Sequence, residues 1–319
     1  MSTADARHVP VLLDRVRELA SPPLRQPGAV AVDATLGRAG HTIALLADHP
    51  GLTVIGIDAD QAAIDESRQR LGADAARVRF VHSFYDELPA ILAGLDYERV
   101  QAVLFDLGVS SPQLDDADRG FSYAQDAPLD MRMDRTADLT AAEVVNTYPA
   151  ARLARIFNDY GEERFARRIA EALVRERERE PVTSTARLAE IVKESIPAPA
   201  RRTGGNPAKR TFQALRIEVN DELGTLRRAV PAALDALAVG GRIVILAYHS
   251  LEDRIVKREL AKRATDSTPP GLPVPLESAR PQFRLLTSGA ERPGEAELAV
   301  NPRAASARLR AAERVREAA

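Results

Sequence analysis

From about residue 28 to residue 106, short runs of β-branched and apolar residues alternate with stretches whose apolar positions recur at helical spacing. The runs Ala29–Asp33, Thr53–Asp58, Val78–His82 and Val100–Asp106 predict strands. His41–Ala47, Gln61–Leu71 and Tyr85–Leu95 predict amphipathic helices between them. Strands separated by helices long enough for right-handed crossovers pack as a parallel sheet covered on its faces, so the pattern predicts a doubly wound α/β fold. Past Asp106 the rhythm changes. Gly108–Asp134, rich in Gly, Ser, Pro and Asp, predicts a loop, and Ala141–Thr147, Ala151–Glu180 and Ser184–Ser195 predict helices with no convincing strand among them. A second loop, Ile196–Pro207, and a helical stretch, Phe212–Leu237, lead to Gly240–Gly241 and the strand Arg242–Tyr248, where the α/β pattern resumes. The economical reading is one doubly wound domain, residues 1–115 and 215–319, interrupted by an all-helical insertion over 116–214. Toward the C-terminus, Asp253–Ala264 is amphipathic, Thr268–Pro281 is a proline-rich loop, and Phe283–Leu286 and Ala307–Ala311 are candidate edge strands.

Composition narrows the chemistry. The 319 residues carry 44 Lys and Arg against 46 Asp and Glu, a net charge of −2, so no global field steers the chain onto a polyanion and any nucleic-acid contact must be local. Cysteine is absent, which excludes disulfides, thiolate metal sites and thiolate nucleophiles. No metal centre is expected. Neither a signal-peptide pattern at the N-terminus nor an apolar run of the roughly 20 residues that span a bilayer is found, so a cytoplasmic protein with no membrane partner is expected. Trp is absent and aromatics make up 4% of the chain, leaving few stacking platforms for single-stranded nucleic acid.

The most informative stretch runs from Val30 to His41, where a strand ends in Asp33 and turns through Gly37, Ala39 and Gly40 into a helix. In a doubly wound sheet, ligands bind beyond the carboxyl ends of the strands, and small residues in the first turn let the backbone approach a cofactor. Asp58 ends the next strand 25 residues after Asp33, a placement suited to accepting hydrogen bonds from ribose hydroxyls. The dinucleotide fingerprint G-x-G-x-x-G and the triphosphate fingerprint G-x-x-x-x-G-K-[ST] are both missing there. Asp33-x-Thr35-x-Gly37-x-Ala39 resembles instead the acidic first loop of S-adenosylmethionine-dependent methyltransferases, in which a strand-end acid faces a cationic sulfonium ligand. The glycines could equally make only a tight turn, and Asp106 with Ser110–Ser111–Pro112 could be ordinary loop chemistry.

The resemblance becomes specific over longer stretches. Asp106–Leu–Gly–Val–Ser–Ser–Pro–Gln–Leu–Asp115, Arg119–Gly–Phe–Ser122, Pro128–Leu–Asp–Met–Arg–Met–Asp134, Tyr160–Gly–Glu–Glu–Arg–Phe165, Arg210–Thr–Phe–Gln–Ala–Leu–Arg–Ile217, Val219–Asn220 and His249–Ser–Leu–Glu–Asp–Arg254 together resemble the RsmH/MraW family. Those proteins are bacterial 16S ribosomal RNA cytosine-N4 methyltransferases. The match extends from His8–Val–Pro–Val–Leu–Leu–Asp14 to Asn301–Pro–Arg303. Two departures stand out: Ala39–Gly40–His41 where the family has Gly-Gly-His, and Ala305 where it has an arginine. The resemblance implies a class I, Rossmann-like methyltransferase fold, S-adenosylmethionine as cofactor, and a decoding-site cytidine of 16S ribosomal RNA, within the small subunit, as substrate. It implies cofactor contacts from Ala39, Gly40, His41, Asp58, Phe84, Asp106 and Gln113. Phe84 and Gln113 enter by resemblance alone; unaided, Phe84 reads as a core residue.

For catalysis the candidates are Asp106, Ser110 and His249, the last placed at the end of a strand and equally readable as a structural histidine. Without cysteine, methylation of N4 must be direct displacement, with an acceptor holding the amine lone pair toward the methyl group. Arg201, Arg202, Lys209 and Arg210 lie in a stretch without acids and are the candidates for RNA phosphates, although charge runs are usually solvated faces. Competing classes are an RNA-binding assembly factor that has lost turnover, a nucleotide-dependent oxidoreductase, and a methyltransferase acting on DNA or protein. Whether the chain works as a homodimer is left open.

Overall fold

A computed structural model describes residues 9–201, 206–269 and 276–317. The chain divides into two compact units, Met1–Gly108 with Gly224–Ala319, and Val109–Leu223.

The first unit is built on a seven-stranded sheet: β1 (Val30–Asp33), β2 (Thr53–Asp58), β3 (Val78–His82), β4 (Val100–Asp106), β5 (Leu237–Ala247), β6 (Phe283–Leu285) and β7 (Arg308–Arg314), in the order β3-β2-β1-β4-β5-β7-β6. The first five strands pair in parallel, and β7 runs antiparallel between β5 and β6. Alternate residues of each strand enter different cores, as the two-residue period of a strand requires. Val32, Ile55, Val103 and Ile245 pack with Leu226, Val230 and Leu234 of the helix Glu222–Ala236. Ala31, Val54, Leu104 and Val244 pack with Val16, Leu19 and Leu24 of the helix Leu13–Leu24, which the sequence pattern did not announce. With helices on both faces, the sheet is doubly wound.

The predicted strands β1 to β4 form within a residue of their expected bounds. At the C-terminal end the expectation needs two corrections. The strand expected from Arg242 begins at Leu237, because Gly240 adopts φ +82° and the β4–β5 ladder shifts register, carrying Gly240 and Gly241 inside β5. The candidate edge strand at Ala307–Ala311 forms as β7, which is interior, so of the two C-terminal candidates β6 alone is an edge.

The second unit is helical, with helices at Ala141–Thr147, Ala150–Asp159, Ala166–Arg177, Thr185–Ser195 and Lys209–Asn220 around a core that includes Val144, Phe157, Ile169, Leu188 and Leu215. Two helices expected to be continuous are broken. Ala151–Glu180 is interrupted at Tyr160–Phe165: Gly161 sits so close to the Arg210 carbonyl that a Cβ would lie 2.6 Å from it, and Glu162 takes φ +49°. Phe212–Leu237 is interrupted at Asp221, with φ +45°, a conformation that Asp tolerates better than most residues. Tertiary contacts set both breaks while the apolar period runs through them. Among the described residues, no helix is long and apolar enough to cross a membrane.

Candidate active site

Three acids end neighbouring strands of the first unit: Asp58 on β2, Asp33 on β1 and Asp106 on β4. All three are held by neutral donors. Asp33 is buried, with Oδ2 accepting from Thr42 Oγ1 at 2.6 Å and Oδ1 from the Thr35 amide at 3.3 Å. Asp58 accepts from the Gly37 amide at 2.7 Å and the Asp60 amide at 2.9 Å. Asp106 accepts from the Tyr248 hydroxyl at 2.6 Å, and its own amide donates to Thr35 Oγ1 at 2.6 Å. None of them is ion-paired to Lys or Arg among the described residues. Burial raises the Asp33 carboxyl above its ordinary value despite two hydrogen bonds, and pushes Asp58 up to about 6. Once ionised, these carboxylates carry charge that no Lys or Arg among the described residues compensates, at the sheet edge where ligands bind in such folds.

The first loop is shaped for close approach. Gly37 and Ala39 both lie in the left-handed region, at φ +50° and +56°. For Ala39 that conformation costs about 1–2 kcal/mol relative to an ordinary backbone. Its methyl group is fully buried in a core cluster, which returns about 0.8 kcal/mol. The burial therefore offsets part of the backbone cost at this position. Gly40 begins the helix Gly40–Asp48 with the Pro10 ring filling the space of its missing Cβ, so a side chain there would displace the Pro10 segment. His41, one residue on, is 5% exposed, with Nε2 3.6 Å from Asp106 Oδ2 and, among the described residues, no hydrogen-bond partner at either ring nitrogen. Phe84 follows β3 at the start of the turn Tyr85–Glu87, half-buried and outside the core clusters. The first unit thus contains Ala39, Gly40, His41, Asp58, Phe84 and Asp106, with acids and first loop joined through Gly37, Thr35 and His41.

His249 has a structural occupation. It is the N-cap of the helix Ser250–Ala264, its ring accepting from the Glu252 amide while the Glu252 carboxylate accepts from the Tyr248 and His249 amides. Its Nε2 lies 3.2 Å from Glu252 Oε1 without forming a hydrogen bond. The spacing His-x-x-Glu is that of a capping box with histidine in the position usually held by Ser or Thr, and that signal was available in the sequence. Tyr248, the partner of Asp106, gave no such signal, because an aromatic residue at a strand end reads as core.

The remaining candidates fall in the second unit. Ser110 and Gln113 bond to each other, the Ser110 amide donating to Gln113 Oε1 at 3.0 Å and Gln113 being buried. Arg201 donates to the carbonyls of Ile196 and Glu194, closing the end of the helix Thr185–Ser195. Arg202 lies outside the described residues. Lys209 and Arg210 are exposed at the start of the helix Lys209–Asn220, and Arg210 also holds the Glu162 carbonyl at 2.8 Å. Asn220 was read only as part of a motif. It is a brace, accepting from the Met133 amide and donating to the Met131 carbonyl.

The strand order, the acid-ended strands and the small-residue first loop define a class I methyltransferase fold. The profile of the MraW methylase family matches residues 5–315, and the chain belongs to that family. It is 64% identical over 310 residues to the "Ribosomal RNA small subunit methyltransferase H" of Thermobifida fusca strain YX, covering 97% of this chain and 94% of that protein. It is 65% identical over 308 residues to the protein of the same name from Frankia alni, covering 96% and 95% respectively.

Proposed function

We propose that this chain methylates the exocyclic N4 of a decoding-site cytidine in 16S ribosomal RNA, using S-adenosylmethionine. The observation that carries the reading is the set of strand-end carboxylates, Asp33, Asp58 and Asp106, held by hydroxyls and amides with no Lys or Arg among the described residues to neutralise them. A cationic sulfonium ligand with an ammonium group fits such a site, and a pyrophosphate does not. The buried His41, both ring nitrogens of which lack a partner among the described residues, marks a polar group poised for a further contact. The names of the relatives support ribosomal RNA of the small subunit as the substrate class.

When bound, the cofactor supplies an electrophilic methyl group. Asp58 would take the ribose hydroxyls; Ala39, Gly40, His41 and Phe84 would border the ligand, and the family resemblance adds Gln113 to that set. Asp106 would accept a hydrogen bond from the N4 amino group, turning the nitrogen lone pair toward the methyl, and would take up the proton that N4 loses on gaining the methyl group. Oriented displacement of this kind can contribute about 7–11 kcal/mol through positioning alone. The target base must leave its stack, at a few kcal/mol, and contacts from Lys209, Arg210 and Arg202 to phosphates would offset that. The test is mass spectrometry of 16S ribosomal RNA from cells with and without the gene. Loss of one N4-methylcytidine, restored by purified protein acting on small subunits, is the expected result. An unchanged modification map would overturn the reading in favour of an assembly factor or another substrate.

A further inference from the structure

Asp106 has two carboxylate oxygens in different situations. Oδ1 accepts from the Tyr248 hydroxyl at 2.6 Å, a separation typical of a hydroxyl bonded to an ionised carboxylate. Oδ2 has His41 Nε2 3.6 Å away, beyond hydrogen-bond reach, and the Asp106 side chain keeps 29% of its surface exposed. The backbone beneath is fixed as well, since the Asp106 amide donates to Thr35 Oγ1 of the first loop. Tyr248 is itself immobilised: its ring packs in the core cluster beneath the sheet, and its amide donates to the Glu252 carboxylate of the capping box. Burial and the Asp106 charge raise the Tyr248 phenol far above its ordinary value, so it remains a proton donor across the working range of pH.

We infer that Tyr248 is a positioning residue that occupies Asp106 Oδ1 and thereby turns Oδ2 outward as the oxygen that accepts from the ligand's amine. The inference rests on the proposed role of Asp106 and deepens it by assigning one oxygen and the group that selects it. Without the hydroxyl, the carboxylate rotates between equivalent settings about its last torsion, which is broad for Asp, and the amine meets a disordered acceptor. Thr35 still anchors the backbone, so loss of the hydroxyl changes orientation while the strand end stays in place.

Tyr248→Phe removes one oxygen and keeps the ring. In proton NMR of the ligand-free full chain, the Tyr248 hydroxyl should give a slowly exchanging downfield resonance, absent in Tyr248→Phe and moved upfield in Asp106→Asn. With small subunits as substrate, Tyr248→Phe should lower kcat about tenfold, the scale of one hydrogen bond to a charged group, and change KM for S-adenosylmethionine less than threefold. In the Asp106→Asn background the same change should have no further effect on kcat, because the two residues act as a unit. A hydroxyl resonance indifferent to Asp106→Asn, or equal kcat for Tyr248→Phe and the parent chain, would overturn the assignment. Should the parent chain bind the cofactor and transfer no methyl group, the proposed function fails by itself, and the NMR experiment still decides whether Tyr248 holds Asp106.

Discussion

The strand-end acids of the first unit and the arginines of the second treat charge in opposite ways. Asp33, Asp58 and Asp106 are held by threonine, tyrosine and backbone donors, which fix their geometry and leave their charge in place. In the helical unit, charges are matched internally: Arg216 grips Glu222 through two bonds at 2.7 and 2.9 Å, Arg132 grips Asp130, and Arg187 reaches both Glu176 and Glu190. Others hold carbonyls; buried Arg119, in the Arg119–Gly–Phe–Ser122 motif, donates to Arg132 and Met133. A charge already neutralised by its neighbours braces the fold. A charge held by neutral groups is available to a ligand of opposite sign.

This contrast is most exposed to failure at Arg216. Arg216→Ala strands the buried Glu222 carboxylate, and losing one partner of a buried pair costs about 3–5 kcal/mol. Urea denaturation should show that loss, while calorimetry shows unchanged S-adenosylmethionine affinity; a large change in affinity would mean that the arginine serves more than the fold. At the strand edge the expectation is reversed. Asp106→Asn keeps shape and removes charge, so it should lower turnover about a hundredfold, within the usual range for a proton acceptor, with a smaller effect on cofactor affinity. Single-turnover rates equal to the parent's would remove Asp106 from the chemistry.

Asp58 comes next in size. Asp58→Ala should weaken S-adenosylmethionine binding by about 1.5–3 kcal/mol, the scale of hydrogen bonds to a charged group. Its pH dependence is a sharper test. Burial pushes the folded-state value up to about 6 from an ordinary 3.8, so the ligand-free fold holds the proton more tightly than the unfolded chain, and its stability falls as pH rises from about 4 to 6. Ribose hydroxyls donate best to the ionised form. The thermal shift produced by the cofactor should therefore be larger at pH 7.5 than at pH 5, and Asp58→Ala should flatten that difference. Asp60 and Asp33, the neighbouring acids, raise Asp58 further and act in the same direction.

Much of the first unit was legible because each strand reports itself: Val30-Ala-Val-Asp33 and Val100-Gln-Ala-Val-Leu-Phe-Asp106 are apolar runs ending in an acid, and strand ends are where such folds bind ligands. The partners of those acids were not legible. Thr35, Thr42 and Tyr248 lie 2, 9 and 142 residues from the acids they serve, and nothing in local sequence couples them. His249 shows the opposite case: a strand-end histidine suggests chemistry, while its spacing to Glu252 already spells the helix cap that the structure shows. In the helical unit the apolar period runs unbroken through Tyr160–Phe165 and Asp221. The breaks come from Gly161 meeting the Arg210 carbonyl and from a left-handed Asp221, both of which depend on the fold being assembled. Motifs such as Val219–Asn220 were visible as motifs, and their function as loop braces was not.

The smallest expected effect separates the cations of the basic stretch from one another. Arg216 is neutralised by Glu222, and Arg201, part-buried, has its guanidinium held by the carbonyls of Ile196 and Glu194, which fixes its place in the fold. Lys209 and Arg210 are exposed, and Arg210, which donates to the Glu162 carbonyl, has no acid partner among the described residues. If these two touch phosphates, each releases about one counterion on binding, and removing one contact lowers the slope of log affinity against log salt by about 1. Lys209→Gln with Arg210→Gln should therefore flatten the salt dependence of binding to small subunits by about 2 and weaken affinity alike for every RNA tested. Arg201→Gln should lower the melting temperature of the ligand-free chain and leave the slope alone. Equal slopes for the double variant and the parent chain, measured from 50 to 200 mM salt, would return Lys209 and Arg210 to the solvated surface. The RNA role of the stretch would then rest on Arg202 alone.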